Sequence, residues 1–300
     1  MSIVERQYTD ADFPRVLTLL GACRRAGYVD MELLSTNLRL TLTDPAFDYR
    51  HTLLQERSGS LDAFALLWQG RYLAMLVAPN MRGRRETGVL VWAEHQMIAI
   101  GDHARLAVLC RDDDALMVRF CETHGFALDD EELRMGRLLD DSLPIVAAPP
   151  GIVIRPLRGT TELEDWLALY TEAFGPRIAQ LRRWRAMRDD PDHEPSLDLI
   201  AAQRDGTLVG MCYCSIASFE ASNDTVVDGR TEPIAIRHAF QRQGLGRALV
   251  SAGLTALRTA GAGVATLTTE VDNIAAHRFY ATLGYRELYR ARWYGRDLQR

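Results

Sequence analysis

The sequence predicts two tandem α/β (α+β) units, and three observations carry that prediction. First, 300 residues suffice for two domains of ordinary size. Second, "RGRRETGVL" (82–90) and "QRQGLGRAL" (241–249) share an arginine-rich start and an apolar finish at an offset of 159 residues. "VRFCETHGF" (118–126) returns as "HRFYATLGY" (277–285) at that same offset, which points to a tandem duplication. Third, "DSLPIVAAPPG" (141–151) has three prolines and no helical period, so it reads as a linker. The expected boundaries are a first unit over 1–142, a linker over 143–151 and a second unit over 152–300.

Each half opens on a strand, a Thr/Asp cluster suited to capping, and an amphipathic helix. The two stretches are "IVERQYTDADFPRVLTLLGACRRAG" (3–27) and "IVIRPLRGTTELEDWLALYTEAFG" (152–175). A hairpin follows in the second half, "LDLIAAQRDGTLVGMCYCSIAS" (197–218), turning at Asp205-Gly206; its counterpart lies around "ERSGSLD" (56–62). Then come a strand "TEPIAI" (231–236), a loop "RHAFQRQGLG" (237–246), a helix "RALVSAGLTALRTAG" (247–261) and a strand "VATLTTEV" (264–271). A last helix carries Phe279-Tyr280 and ends before Gly284-Tyr285. Between hairpin and first helix, "AQLRRWRAMRDDPDHEP" (179–195) reads as a charged amphipathic helix and loop.

Composition narrows the function classes. With 47% hydrophobic and 25% charged residues the chain is an ordinary soluble globular protein. No apolar run approaches the roughly 20 residues of a membrane span, and "MSIVERQYTDAD" lacks a signal peptide's basic and apolar regions. The five cysteines are an odd number without framework spacing, so the expectation is a cytoplasmic protein with no membrane partner. All 35 basic residues are arginine, so no lysine amine can form a Schiff base or be acylated. Residues 1–150 hold 16 Arg against 22 Asp and Glu, and residues 151–300 hold 19 against 18. The second half is thus the better place for an anion, and neither half is basic enough for nucleic acid. Cys212 and Cys214 alternate on one strand face, and His193, His238 and His277 have no ligand spacing, so no metal is expected.

A strand, a glycine loop and a helix start gather main-chain N–H groups and a positive dipole end around a phosphate. Alone, Gln241-x-x-Gly244-x-Gly246 is a common turn before a helix. The longer run, through Asn273 and Tyr280 to Gly284-Tyr285, resembles the GCN5-related N-acetyltransferases, the GNAT superfamily, over residues 152–297. The tandem layout is similar to that superfamily's mycothiol-synthase-like branch. The resemblance implies units built on a mixed, mostly antiparallel sheet flanked by helices, with acetyl-CoA as co-substrate. It also implies that the main chain of Arg242, Gln243, Gly244, Leu245, Gly246 and Arg247 holds a pyrophosphate. Ile234, Ala235 and Ile236 would pair with the pantetheine arm as an added strand, and Asn273 would bond its amides. Pro233, which cannot donate to a ladder, fits a locally splayed or bulged strand. The isoleucines read equally well as core.

Acetylating an amine requires a base for the ammonium and an acid for the departing thiolate. By the resemblance Tyr280 is the acid; its alternative role is aromatic packing. Glu232, next to the pantetheine-pairing segment, is the favoured base, and a solvated strand end is its alternative. Glu270 is the second choice, because Thr268 stands where many superfamily members carry a glutamate. Trp184 is a candidate for shaping acceptor choice. The expected activity is acetyl transfer to the primary amine of a small molecule, by a monomer or homodimer. Acetylation of a protein or peptide amine and a non-catalytic acyl-CoA sensor remain the alternatives.

At the fixed offset the first half has Leu73 for Glu232, Arg85 for Gly244, Thr87 for Gly246, Asp114 for Asn273 and Cys121 for Tyr280. The expectation is a degenerate unit without an acetyl-CoA site, its loop filled by the Arg85 and Thr87 side chains. The rival is a loop in which Arg82, Arg84 and Arg85 grip an anion.

Overall fold

A computed structural model describes residues 3–33, 35–44, 49–100, 105–140, 142–159, 161–175, 186, 188, 193–217 and 227–298. These fall into two units, one gathering residues up to Leu133 and those from Tyr289 on, the other gathering residues from Arg134 to Leu288. Trp184 lies outside the described residues.

The first half runs β1 (Val4–Arg6), α1 (Phe13–Arg25), α2 (Ser35–Thr43), β2 (Thr52–Arg57), β3 (Ser60–Trp68) and β4 (Tyr72–Val77). It continues with α3 (Glu86–Ile100), β5 (Arg105–Arg111), α4 (Ala115–Thr123) and β6 (Ala127–Leu138). The second half repeats the order: β7 (Ile152–Pro156), α5 (Leu163–Phe174), β8 (Asp198–Gln203), β9 (Leu208–Ala217) and β10 (Val227–Ile236). Then follow α6 (Leu245–Thr259), β11 (Ala262–Glu270), α7 (Ile274–Ala281) and β12 (Arg286–Asp297).

The first unit's sheet has the order β1-β2-β3-β4-β5-β12, and the second's β7-β8-β9-β10-β11-β6. β4 with β5 and β10 with β11 are parallel pairs, while the ladders between consecutive hairpin strands are antiparallel. Each unit is therefore a mixed, mostly antiparallel sheet. β12 from Tyr289 on belongs to the first unit, and β6 from Arg134 on belongs to the second. β12 pairs with β5 from Ala291↔Arg111 to Asp297↔Arg105, and just beyond β6 the Leu139 N–H donates to the Gly263 carbonyl at 3.0 Å. Contacts thus divide the chain differently from the linear halves at 142 and 152, because an edge strand can be supplied by any segment of suitable pattern. The linker is pinned to α6: the Ser251 hydroxyl donates to the Pro144 carbonyl and accepts from the Val146 N–H at 3.2 Å.

Burial explains why these segments form these elements. In the first unit Leu53, Ala65 and Leu67 face a core under α3, while Leu54, Phe64 and Leu66 face one under α1 and α2. Strands covered on both faces read as continuous apolar runs rather than alternation. In the second unit α5 sets Trp166, Leu169 and Tyr170 against Ile200, Met211, Tyr213 and Ala235. On α6 the buried residues Leu245, Ala248, Leu249, Leu254 and Leu257 recur at helical spacing. Glycines let that helix lie close: a Cβ on Gly210 would sit 2.8 Å from Leu249 Cδ1, and one on Gly229 2.9 Å from Leu257 Cδ1. The helix starts two residues earlier than the sequence suggests, so Gly244 is its cap rather than the middle of a loop. Among the described residues no helix is long and apolar enough to cross a membrane.

Candidate active site

The site begins where two parallel strands part. β10 is paired with β11 only over Val227–Arg230, yet it stays on β9 as far as Ile236↔Gly210. Its register on β9 shifts between Thr231 and Ile234, so one extra residue is accommodated at Glu232-Pro233, as the proline suggests. Past Arg230 the β11-facing edge of β10 is open. The Arg237 N–H donates to the Val209 carbonyl at 3.0 Å, which fixes the alternation. Ala235 therefore turns its main-chain groups to β9, whereas Ile234 and Ile236 turn theirs to the open edge. Of the three residues expected to pair with an added strand, Ile234 and Ile236 have main-chain groups on the open edge, and Ala235 has its own on the β9 side.

At the end of that edge lies the glycine loop. Gly244 has φ +85°, the left-handed region that glycine occupies without strain, and caps α6. Arg242, also left-handed at φ 62°, helps curl the loop. Among the described residues the N–H groups of Arg242, Gln243, Gly244, Leu245, Gly246 and Arg247 have no acceptor. Arg242, Gln243, Gly244 and Arg247 are exposed, and the segment lies at the positive end of a 15-residue helix, an arrangement suited to an anion. A Cβ on Gly246 would stand 3.3 Å from Ile236 Cδ1 and 3.5 Å from Phe279 Cζ. That glycine lets loop, edge strand and α7 approach one another. Gln241 and Gln243 brace the loop, donating to the Ile236 and Ala239 carbonyls at 3.0 and 2.9 Å.

The chemistry-bearing residues converge on the bulge. Glu232 is mostly buried and held on both oxygens: Arg230 donates to Oε1, and the Thr268 N–H donates to Oε2 at 2.9 Å. Thr268, the residue standing in for the superfamily's glutamate, thus becomes a mount for Glu232. Glu270, the second-choice base, is exposed at the strand end. Tyr280 on α7 is edge-on to Tyr285, with ring centroids 5.6 Å apart. Burial, with smaller contributions from Cys212 and Glu232, pushes its phenol well above the ordinary 10. Tyr285 is buried and shares a 2.7 Å hydrogen bond with Thr231, which fixes the ring against which Tyr280 rests. The sequence marked Tyr285 only as part of a motif and gave no sign of the Arg230 contact. Asn273 caps α7, its Oδ1 accepting from the Ala276 N–H at 3.1 Å, and its NH2 is left to donate to another partner. Cys212 and Cys214 lie 3.7 Å apart, buried under α6, and among the described residues no group of metal-ligating side chains assembles.

The first unit has the same parting, since β4 pairs with β5 only at Tyr72 and Leu73. Here the unit fills the opening with its own side chains. The Glu86 carboxylate accepts from the Gly83 and Arg85 N–H groups at 3.0 and 3.1 Å, taking the place an anion would have in the loop. The Val77 carbonyl, counterpart of Ile236 on the edge strand, accepts from the Tyr28 hydroxyl at 2.6 Å and the Cys23 thiol at 3.3 Å. Arg85 does not fill the loop as expected. It turns inward to Asp62 at 2.5 Å because a buried guanidinium needs a buried carboxylate, and Thr87 is exposed. Arg82 bonds both oxygens of Asp114 at 2.7 and 2.8 Å and lies 3.9 Å from the centre of the Tyr28 ring. Two of the three arginines of the rival reading are thus committed to carboxylates, and the Asp114 charge is neutralised. Asp114 keeps the capping role of Asn273, accepting from the Met117 N–H at 3.2 Å.

Known proteins share this sequence and architecture. The Acetyltransferase (GNAT) family matches residues 161–285. A mycothiol acetyltransferase of Thermobispora bispora is 30% identical over 258 residues, covering 78% of this chain and 84% of its own. One of Thermomonospora curvata is 30% identical over 289 residues, 92% and 91% of the two chains. Among solved structures, a GCN5-related N-acetyltransferase from Sphaerobacter thermophilus aligns with TM-score 0.72 at 20% identity, over 99% of this chain and 96% of its own. A tandem GNAT protein from the clavulanic acid biosynthesis pathway also gives 0.72, at 15% identity, over 99% and 98%.

Glu86→Ala tests the self-filled loop. It leaves two amides short of an acceptor and removes the 3.5 Å ion pair between Glu86 and Arg82, a loss of about 2–3 kcal/mol, against a helix-propensity gain of only a few tenths. The unfolding midpoint should fall accordingly in a denaturant titration. An unchanged midpoint would mean that water serves those amides equally well.

Proposed function

The chain belongs to the GNAT acetyltransferase family and is an N-acetyltransferase; on that premise we propose that it acetylates the primary amine of a small molecule, using one acetyl-CoA bound to the second unit. The observation that carries this reading is the open edge of β10 running into a loop of unsatisfied N–H groups at the start of α6. A pantetheine arm finds main-chain partners at Ile234 and Ile236, and the pyrophosphate finds them at Arg242, Gln243, Gly244, Leu245, Gly246 and Arg247. The Asn273 NH2 group is available to an amide carbonyl of the arm. That relatives are mycothiol acetyltransferases supports a small-molecule acceptor over a protein. Five free cysteines suit a reducing cytoplasm.

Glu232, mounted on Thr268 and Arg230, takes the proton from the acceptor ammonium, directly or through water. The amine nitrogen then attacks the thioester carbon and the C–S bond breaks. Tyr280, kept protonated by burial, gives its proton to the departing sulfur. The first unit, which answers its own loop and edge, serves as a structural domain without acetyl-CoA.

A thiol-release assay with acetyl-CoA and a panel of small amines tests the function. Turnover on one of them is expected; tight acetyl-CoA binding with no turnover on amines or peptides would favour the sensor.

Calorimetric titration with acetyl-CoA should give one equivalent per chain. Two equivalents of comparable affinity would sink the degenerate-unit reading.

Tyr280→Phe should lower kcat by roughly 100-fold, at the modest end of general-acid contributions, with KM for acetyl-CoA little changed. A raised phenol pKa keeps the proton-bearing form through neutral and mildly alkaline pH. Any alkaline fall in rate below about pH 10 therefore belongs to another group and should persist in the variant. Equal kcat in both proteins would assign the proton to water.

A further inference from the structure

β6 is encoded ahead of the linker, yet its residues from Arg134 on belong to the second unit, beside β11. Two of its arginines reach toward the candidate site. Arg137 donates to the carbonyl of Leu283, three residues after Tyr280. Arg134, fully buried at 0% exposure, donates from Nη1 to Thr268 Oγ1 at 2.9 Å. Thr268 presents its N–H to Glu232 Oε2 at 2.9 Å and its hydroxyl to Oε1 at 3.4 Å. A threonine hydroxyl has one proton to give. With Arg134 donating into its lone pairs at 2.9 Å, and Arg230 more distantly at 3.5 Å, that hydroxyl is an acceptor on the arginine side and is left to donate toward Glu232. Without Arg134 only the long Arg230 contact orients it, and it is freer to rotate and turn a lone pair on the carboxylate. Desolvating a guanidinium is expensive, and an apolar side chain would fill a purely structural strand position at lower cost.

We propose that Arg134 is a positioning residue for acetyl transfer, acting through the Thr268 hydroxyl on the Glu232 carboxylate. The proposal rests on the assignment of Glu232 as the base. It makes the catalytic unit dependent on a strand from outside residues 152–300.

The test compares Arg134→Met, Thr268→Val, their double variant and Glu232→Gln in the full chain. Steady-state kinetics use acetyl-CoA and the best amine of the panel, with a thermal melt for each protein. Arg134→Met should lower kcat roughly 10- to 100-fold, the range that sub-ångström misplacement of a reacting group produces, and leave KM for acetyl-CoA within about threefold. Thr268→Val, nearly the same shape, should give a similar drop. The double variant should be no worse than about twofold below the poorer single, because both break one chain of contacts. A silent Thr268→Val overturns the proposal, even where Arg134→Met fails to fold. So do multiplicative effects, or an Arg134→Met loss that appears only in the melting temperature. Glu232→Gln separates the two assignments. If it retains wild-type kcat, the base assignment fails. If it is inactive while Arg134→Met turns over normally, only the role of Arg134 fails.

Discussion

The parting of β10 from β11 after Arg230 is the constraint on which the rest of the second unit depends. A strand inside a sheet has both edges satisfied and can offer a ligand nothing. Here the bulge at Glu232-Pro233 adds a residue on one strand, and the pairing with β11 stops there. Three consequences follow from that single geometry. Ile234 and Ile236 face an empty lane, Glu232 drops between the separating strands to meet Thr268, and α6 can begin where the lane ends. The glycines serve this arrangement more than they serve flexibility. Gly244 supplies the left-handed cap, and Gly246 lets Phe279 and Ile236 close on the loop.

The first unit shows the same frame with its loop and edge groups met from within. Unpaired strands and a bare helix start are costly wherever they lose water, so a unit proposed to bind no cofactor has to answer those groups itself. Glu86, Tyr28 and Cys23 provide the answers, one carboxylate for the loop and two donors for the edge carbonyl. Arg82 ties the replacements together by bonding Asp114 and stacking on Tyr28. The side chains that matter are therefore not those that sit opposite the lost glycines. A buried arginine at 85 cannot remain in a loop. It must find an acid, and Asp62 on β3 is the one within reach.

Much of the fold could be read from the sequence because repetition and periodicity are local signals. The offset of 159 residues, the hairpin at Asp205-Gly206 and the apolar stripe of α6 all survive into the structure. The bulge could be read for the same reason, since a proline at 233 denies the ladder a donor wherever it stands. What stayed hidden depends on pairing partners remote in sequence. No local pattern says that Ala235 faces β9, because that follows from the register at Arg237 and Val209. Arg134 gave no signal either, since an arginine in "EELRMGRL" reads as a solvated strand residue until the strand is set beside β11. Glu86 looks like an ordinary first-turn helix residue, and its role appears only with the loop amides around it.

Strand exchange would explain why a duplicated unit proposed to have lost its site is still retained. In each half the last strand follows α4 or α7, and β6 from Arg134 on lies in the second unit while β12 from Tyr289 on lies in the first. Deleting the first half would also remove the strand that carries Arg134 and Arg137. Deleting residues past Tyr289 would likewise strip the first unit of the partner for β5, in which Trp293 lies opposite Leu109 and edge-on to Tyr72. Selection on the active half therefore acts on segments encoded in both. The first unit is free to change at its loop and edge, where only its own side chains must be satisfied. It is not free to change at β6, where an arginine stands one threonine away from the carboxylate on which the reaction is proposed to depend.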